Sequence, residues 1–198
     1  MDERLGVLGG TFDPPHIGHL VVAQDALEGL ALDRLIVVPS ARPPHRRAHF
    51  GAEVRLAWAR AAFAAHAAIE VSDEELRRPG PSYTVDTLRR LREANGSAEL
   101  VLLLGADQLR DLGTWREPEQ IVRLARIAAM ARGGEPAENG DYPHDTVDVT
   151  RVDVSSTQIR ERLAAGRSIR YLVPESIRED VERAWAEARG HDRKEESE

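Results

Sequence analysis

The sequence contains no cysteine, and its only lysine is Lys194, in a polar C-terminal stretch. The lack of cysteine excludes a disulfide framework and thiolate chemistry, and a zinc site would have to use histidines and carboxylates. Because Lys194 stands outside any patterned segment, phosphate binding elsewhere must use arginine, histidine and backbone amides. The sequence also has no secretory apolar segment and no membrane-length apolar run. These absences predict a cytoplasmic protein with no membrane partner.

The overall composition suits one globular domain. The chain has 198 residues, 41% of them hydrophobic, and a formal net charge of -7. A length in this range buries a sizeable core without a second domain. We expect one domain over residues 1–190, with a small C-terminal helical part at about 157–190 and a disordered tail at 191–198. The composition leaves open whether the protein is a homo-oligomer.

The basic stretch at residues 42–49 could be interpreted as a nucleic-acid patch. The net negative charge of the chain argues against nucleic acid as a partner, and so does the near absence of aromatic residues, Phe50 apart, among these basic ones. A phosphorylated small molecule explains the same charges.

Short apolar runs alternate with segments of helical period along the chain. The runs lie at residues 5–8, 35–38, 68–71, 100–104, 127–130 and 147–152. Between them, apolar residues recur at helical spacing, as in Leu20, Ala23, Leu27 and Leu30. This alternation predicts an α/β protein with a Rossmann-like, doubly wound parallel sheet, whose ligands bind beyond the carboxyl ends of the strands.

A glycine-rich turn follows the first predicted strand, and residues 9–19 read GGTFDPPHIGH. Gly9 and Gly10 can adopt backbone angles closed to other residues and bring main-chain N–H groups close to an anion. His16 and His19 then lie on one face of the first turn of the next helix. Gly18 between them removes a side chain that would obstruct a polyphosphate, and the helix N-terminus adds partial positive charge. The segment therefore predicts a triphosphate site.

Other interpretations of this segment are a glycine turn with two surface histidines, or a metal pair at i and i+3. The preceding strand, the paired glycines, the prolines and the following helix favour the triphosphate site over the first, and no third metal ligand is evident nearby. The segment matches neither G-x-x-x-x-G-K-[S/T] nor G-x-G-x-x-G, so neither a P-loop kinase nor a nicotinamide dehydrogenase is supported.

A second motif, DVSSTQIR at residues 153–160, combines hydroxyl residues with an arginine at a predicted helix start. Ser155 and Gln158 have the spacing of a capping box, which is a complete structural explanation by itself. Ser156, Thr157 and Arg160 could in addition bind the far phosphates and the leaving pyrophosphate. The motif follows the last predicted strand, whose end can lie beside the first glycine-rich turn, and this position favours the functional interpretation.

With these two motifs the chain resembles the nucleotidyltransferase superfamily, and further segments make it similar to bacterial nicotinate mononucleotide adenylyltransferases. Those segments are PPHR at 43–46, SYTVDTL at 82–88, LGADQL at 104–109 with Trp115, and YLVP at 171–174. The resemblance implies transfer of AMP from ATP to nicotinate mononucleotide, with Mg²⁺ accompanying ATP. The products would be nicotinate adenine dinucleotide and pyrophosphate, formed by direct in-line attack.

The resemblance also implies roles for individual residues on the ATP side. His16 and His19 would hold the triphosphate, and Arg160 would neutralise charge on the departing pyrophosphate. Thr11 and Phe12 would supply loop contacts near the reacting phosphates. ATP contacts are further implied for Gly9, Gly10, Gly18, Gly105, Asp107, Ser156 and Thr157. Gly105 and Asp107 suit the adenosine ribose, although a buried or magnesium-linked Asp107 is an alternative.

On the acceptor side, the resemblance puts Thr84 and Trp115 in the nicotinate pocket, where an indole can stack on a pyridine ring. A tryptophan that simply belongs to the core is the alternative. Backbone N–H groups around Thr84 and at Arg116 would bind the ring carboxylate, and Arg132 would add charge. Arg46 stands where the family usually has lysine and would bind phosphate through a planar fork.

Rival functions keep the chemistry and change the acceptor: nicotinamide mononucleotide, phosphopantetheine, or a polyol phosphate in a cytidylyltransferase. The 82–88 segment and Trp115 disfavour the last two. A rival of another class is a catalytically idle nucleotide-sensing module, and the intact residues of both motifs argue against it.

Overall fold

The computed structural model describes residues 3–44, 47–132 and 141–195, with backbone alone for Arg132 and residues 190–195. Strands and helices alternate along most of the chain. The strands are β1 (Arg4–Gly10), β2 (Arg34–Pro39), β3 (Ile69–Val71), β4 (Glu99–Gly105), β5 (Arg126–Arg132) and β6 (Asp145–Val149). The helices are α1 (Ile17–Gly29), α2 (Ala52–Phe63), α3 (Thr84–Asn95), α4 (Ala106–Asp111), α5 (Pro118–Leu124), α6 (Ser156–Ala164) and α7 (Glu175–Glu195), with a 3₁₀ turn at Leu112–Thr114.

The strands form one parallel sheet in the order β3-β2-β1-β4-β5-β6. The strand order reverses between β1 and β4, and ligands of doubly wound sheets bind in the crevice at such a switch point. The predicted Rossmann-like fold and its six strands are confirmed. β6 ends at Val149 rather than at residue 152, because the N–H of Thr150 leaves the ladder and donates to Asp25 Oδ2 at 2.6 Å.

Side chains alternate between the two faces of the sheet, and each face has its own apolar core. Leu35 and Val37 of β2 point to the face that α1, α2, α6 and α7 cover, whereas Ile36 and Val38 point to the face that α3 and α5 cover. Both faces of the central strands are buried, which is why β1, β2, β4 and β5 are largely apolar runs in the sequence, whereas the edge strands β3 (IEV) and β6 (DTVDV) include polar residues.

The C-terminal helices pack on the first of these faces. Ile159 of α6 and Val181 of α7 are fully buried there, and Ser176 donates a hydrogen bond to Ala61 O of α2 at 3.0 Å. The helix assignment of α7 continues through Glu195, past the boundary predicted at residue 190, and residues 196–198 lie outside the described part. No helix in the described ranges is long and apolar enough to cross a bilayer.

Candidate active site

The turn after β1 is built differently from the sequence prediction. Gly9 and Gly10 are the last residues of the strand, and the left-handed residue of the turn is Phe12, with φ of 49°. Neither glycine has a positive φ, so the backbone freedom that the sequence analysis noted for them is not used in this turn. Gly10 is needed for space instead, because a Cβ there would lie 2.9 Å from the buried Phe12 ring. That ring packs edge-on against Phe63 of α2 and anchors the turn to the core.

The two histidines of the first motif form a stacked pair at the start of α1. Their ring centroids are 3.7 Å apart at an interplanar angle of 29°, and the Phe12 ring meets His19 edge-on at 4.8 Å. The backbone N–H of His16, the N-cap residue, donates to Nδ1 of His19 at 3.1 Å. This hydrogen bond assigns the proton of the neutral His19 ring to Nε2, which can donate to a ligand.

Gly18 lies beneath this pair and is buried. A Cβ at Gly18 would approach two atoms of the His16 ring to 3.1 Å and the carbonyl oxygen of Val152 to 3.7 Å. Glycine at position 18 thus makes room for the His16 ring. This contact explains the glycine more directly than the clearance for a polyphosphate that the sequence suggests.

The second motif lies against the first, although β6 is the edge strand and is separated from β1 by β4 and β5, because the chain after β6 returns to the turn after β1. The hydroxyl of Ser156 donates to Pro14 O at 2.9 Å, and Arg160 Nη1 donates to Asp13 O at 2.6 Å. The same guanidinium lies 3.7 Å from Asp13 Oδ2 and donates through Nη2 to Thr157 Oγ1 at 3.1 Å. The N-termini of α1 and α6 are therefore neighbours, and their partial positive charges add at one place.

The capping role predicted for Ser155 is confirmed. Its hydroxyl accepts a hydrogen bond from Gln158 N at 3.1 Å, and its backbone is extended, as is usual at an N-cap. Ser155 thus fixes where α6 begins, and the hydroxyl of Ser156 contacts the turn after β1.

A cavity of about 380 Å³ opens at the carboxyl ends of β1, β2 and β4. This volume is within the range of about 300–1,000 Å³ typical of small-molecule sites. Seven of the residues predicted for ligand binding line it. They are Gly9, Gly10, Thr11, Thr84, Asp107, Trp115 and Arg116.

The α4 side of the cavity presents an exposed carboxylate. Asp107 is exposed, which rules out the buried alternative considered from the sequence. Gly105 does not line the cavity; it is the N-cap of α4, and its N–H donates to Gln108 Oε1 at 3.1 Å. A Cβ at Gly105 would lie 2.9 Å from Asp107 Oδ1, so the glycine leaves room for the carboxylate.

The remaining predicted residues divide into two groups. Those beside the cavity rather than lining it gather where α1 and α6 begin: Phe12, His16, Gly18, His19, Ser156, Thr157 and Arg160. Arg46 lies outside the described residues, and Arg132 ends β5 with its side chain outside them. Asp13 and Thr11 connect the first group to the cavity, because they lie between Gly10 and His16 in the chain.

Two residues of this region were missed by the sequence analysis, Asp13 and Arg55. Asp13 is buried, and its carboxylate accepts hydrogen bonds from His49 N at 2.7 Å and Phe50 N at 3.1 Å. It thereby ties the turn after β1 to the segment before α2. A carboxylate in a turn signals only a local hydrogen bond, so its distant partners leave no trace in the sequence.

Arg55 of α2 is 1% exposed and joins the ends of two strands. Its guanidinium donates to four carbonyl oxygens: Phe50 at 3.0 Å, Thr11 at 2.7 Å, Ser40 at 2.6 Å and Ala41 at 3.2 Å. Burial lowers the pKa of Arg55, and the charges of Asp13 and Glu75 oppose this shift. The partners are backbone carbonyls, which no residue pattern reveals.

Other side chains of the cavity wall add polar groups that the sequence analysis did not single out. Thr87 donates to Glu75 Oε1 at 2.8 Å, and both residues line the cavity. The Ser82 hydroxyl accepts from Arg42 N at 3.0 Å, and Ser82 N donates to Arg42 O at 3.0 Å, which ties the loop after β2 to the start of α3.

In residues 3–44, 47–132 and 141–195, no group of three or more His, Asp or Glu side chains could hold a metal ion.

Comparison with known proteins identifies the class that this fold and site define. The model of the cytidylyltransferase-like family matches residues 7–162, which include both motifs and the cavity. The chain is thus a member of this class of nucleotidyltransferases. The structure of Plasmodium falciparum nicotinic acid mononucleotide adenylyltransferase complexed with NaAD has a similar fold, with a TM-score of 0.70 and 19% identity, over 84% of this chain and 87% of that one.

Closer relatives narrow the class. A probable nicotinate-nucleotide adenylyltransferase from Thermus thermophilus is 46% identical over 180 residues, which cover 91% of this chain and 97% of that protein. One from Exiguobacterium sibiricum is 42% identical over 181 residues, covering 90% and 96%. The chain belongs to the nicotinate-nucleotide adenylyltransferase family.

Proposed function

We propose that this protein transfers AMP from ATP to nicotinate mononucleotide, forming nicotinate adenine dinucleotide and pyrophosphate. The observation that carries the proposal is the convergence of the two motifs at one edge of the sheet, next to a cavity lined by Thr84 and Trp115. The family of its relatives supports the same reaction. The product is an intermediate on the way to NAD.

In the proposed reaction the acceptor phosphate attacks the α-phosphorus of ATP in line, and pyrophosphate departs. Catalysis then rests on positioning and on neutralising charge. His19 Nε2–H, the His16 ring and the N-termini of α1 and α6 supply hydrogen bonds and positive potential for the triphosphate. Arg160 fixes the turn through Asp13 O and brings a positive charge to the same place for the leaving group.

The acceptor and the adenosine ribose belong to the cavity in this proposal. The Trp115 indole offers a stacking surface for the pyridine ring, and the exposed Asp107 carboxylate can accept hydrogen bonds from ribose hydroxyls. Backbone N–H groups at the start of α3 and at Arg116 suit the ring carboxylate. For Arg46 and Arg132, phosphate and carboxylate binding remain proposals from the sequence.

We propose Mg²⁺ as the metal that accompanies ATP. It would neutralise phosphate charge, and it is commonly bound through substrate phosphates and water with few protein ligands. The described residues fit this arrangement, because they offer single carboxylates such as Asp107 near the cavity and no three-ligand cluster.

The test is pyrophosphate release measured with ATP or CTP and each candidate acceptor. We expect turnover of ATP with nicotinate mononucleotide, weaker turnover with the nicotinamide form, and none with phosphopantetheine or with CTP. Equal rates with the two pyridine mononucleotides would refute acid selectivity. Release only with phosphopantetheine, or only with CTP, would refute the proposed substrates.

A further inference from the structure

Helix α7 lies beyond the part of the chain that the family model matches, which ends at residue 162, yet one of its side chains reaches the segment before α2. The Trp185 ring stacks on the His49 ring, with centroids 4.8 Å apart and an interplanar angle of 25°. It also meets the Phe50 ring at 6.3 Å and 60°. Both distances are within the range of about 4.5–7 Å that aromatic pairs prefer. Trp185 therefore contacts both side chains of the segment 49–50.

These ring contacts, rather than a hydrogen bond, set the position of the indole. The Trp185 side chain is half-buried, and its Nε1 is buried with no hydrogen-bond partner among the described residues. A buried tryptophan N–H usually has a partner, and leaving it unpaired costs free energy. Packing against the His49 and Phe50 rings has to offset that cost. A phenylalanine at this position would keep a ring for the stack and would bury no unpaired N–H.

The backbone of the same segment holds the carboxylate of Asp13. His49 N donates to Asp13 Oδ2 at 2.7 Å, and Phe50 N donates to Asp13 Oδ1 at 3.1 Å. Asp13 is 5% exposed, so its two oxygens rely on protein donors rather than on water. A shift of the 49–50 backbone would therefore move this carboxylate or leave one of its oxygens without a donor.

Asp13 in turn holds the guanidinium of Arg160. Arg160 Nη1 donates to the carbonyl oxygen of Asp13 at 2.6 Å and lies 3.7 Å from Oδ2, the same oxygen that accepts from His49 N. The Arg160 side chain is 26% exposed, so contacts such as these decide where its charge faces a ligand. A continuous set of contacts thus connects α7 to the residue proposed above for the departing pyrophosphate.

We infer that Trp185 is a positioning residue for Arg160, and that its aromatic ring is the part of the side chain that matters. Trp185 does not line the cavity and acts through the segment 49–50 and Asp13. This inference rests on the proposed function, because the residue that it positions is assigned to the leaving group. A displaced charge weakens transition-state stabilisation more than it weakens binding of the acceptor, so the effect belongs to kcat.

The test measures pyrophosphate release from ATP and nicotinate mononucleotide by wild type, Trp185→Leu and Trp185→Phe. Leucine keeps an apolar side chain without a ring, and we expect it to lower kcat about tenfold while KM for nicotinate mononucleotide changes by less than about twofold. Phenylalanine keeps a ring and should stay within about twofold of the wild-type kcat. A wild-type kcat in Trp185→Leu, or an equal loss in both variants, would overturn the role given to the ring.

The matched control for helix stability is Val181→Ala. Val181 lies one turn before Trp185 on α7 and is fully buried in the core. Truncating it should lower the midpoint of thermal unfolding, and well below that midpoint kcat should stay within about twofold of wild type. If Val181→Ala lowers kcat as much as Trp185→Leu does, the effect is one of stability and the inference is wrong.

A double-variant cycle with Arg160→Lys tests the route of the effect. Lysine keeps a charge at position 160 but not the planar fork that contacts Asp13. If Trp185 acts through Arg160, Trp185→Leu should change the kcat of Arg160→Lys by less than about twofold, whereas a loss of about tenfold in both backgrounds would mean independent effects and contradict the inference. In each of these outcomes wild type is active and the proposed function stands. If wild type releases no pyrophosphate with nicotinate mononucleotide, the proposed function fails, and the inference fails with it.

Discussion

At the residue scale, His16 and His19 serve the local fold and the proposed chemistry together. The His16 N–H donates to the His19 ring, which satisfies one of the donors that a helix start leaves open. The same bond fixes the orientation of His19 and leaves Nε2 as its donor. A stacked, pre-oriented pair costs no reorganisation when charge develops on the phosphates, and electrostatic catalysis depends on this property.

We predict that His16→Ala lowers kcat by about two to three orders of magnitude, as for removal of a preorganised transition-state donor. Far-UV circular dichroism and the midpoint of thermal unfolding should stay close to those of wild type. His66→Ala is the control, since His66 lies before β3, at the opposite end of the sheet from the cavity. Full activity of His16→Ala would remove this residue from the mechanism.

At the element scale, Arg55 of α2 joins the loops after β1 and β2, and Asp13 joins the first of these loops to the segment before α2. Arg55 bonds carbonyls of both loops, and Asp13 bonds the N–H groups that precede α2. Backbone groups that turn away from the sheet at a switch point need partners, and Arg55 supplies several at once. These hydrogen bonds fix the relative position of the two loops at the edge of the cavity.

We predict that Arg55→Met lowers the free energy of unfolding by about 3–5 kcal/mol, because several buried carbonyls lose a charged donor together. Arg55→Lys should recover only part of this loss, since one ammonium group cannot reach all four oxygens. Urea denaturation of both variants measures the effect. Arg60→Met on the same helix is the control, because Arg60 is half-exposed and its ion pair with Asp73 contributes at most about 1 kcal/mol. A stability of Arg55→Met equal to that of the control would contradict the role given to Arg55.

The elements that the sequence predicts well are those whose signal is local and repeated. The central strands β1, β2, β4 and β5 are largely apolar runs, and α1, α3 and α6 have apolar residues at helical spacing. The turn after β1 was predicted in position but not in conformation, because the choice of Phe12 rather than a glycine as the left-handed residue depends on a pocket near Phe63 for its ring. Arg55 on α2 could not be identified, since its partners are carbonyls of distant residues.

At the scale of the whole molecule, the strand order brings together segments that are far apart in sequence. Parallel strands put the ends of β1, β2 and β4 at one edge, and the chain beyond β6 returns to contact Pro14 through Ser156. These contacts follow from the topology of the sheet. The positions of the two motifs in the sequence predict the contact between the starts of α1 and α6. Which of the described side chains line the cavity, by contrast, is given only by the structure.

Direct transfer of AMP is the central claim, and ATP labelled at the α-phosphorus tests it most directly. After incubation with nicotinate mononucleotide, we predict that the label is recovered in nicotinate adenine dinucleotide, with one pyrophosphate released per dinucleotide and no label on the protein. Label bound covalently to the protein, or released as free AMP without dinucleotide, would contradict direct in-line transfer to this acceptor.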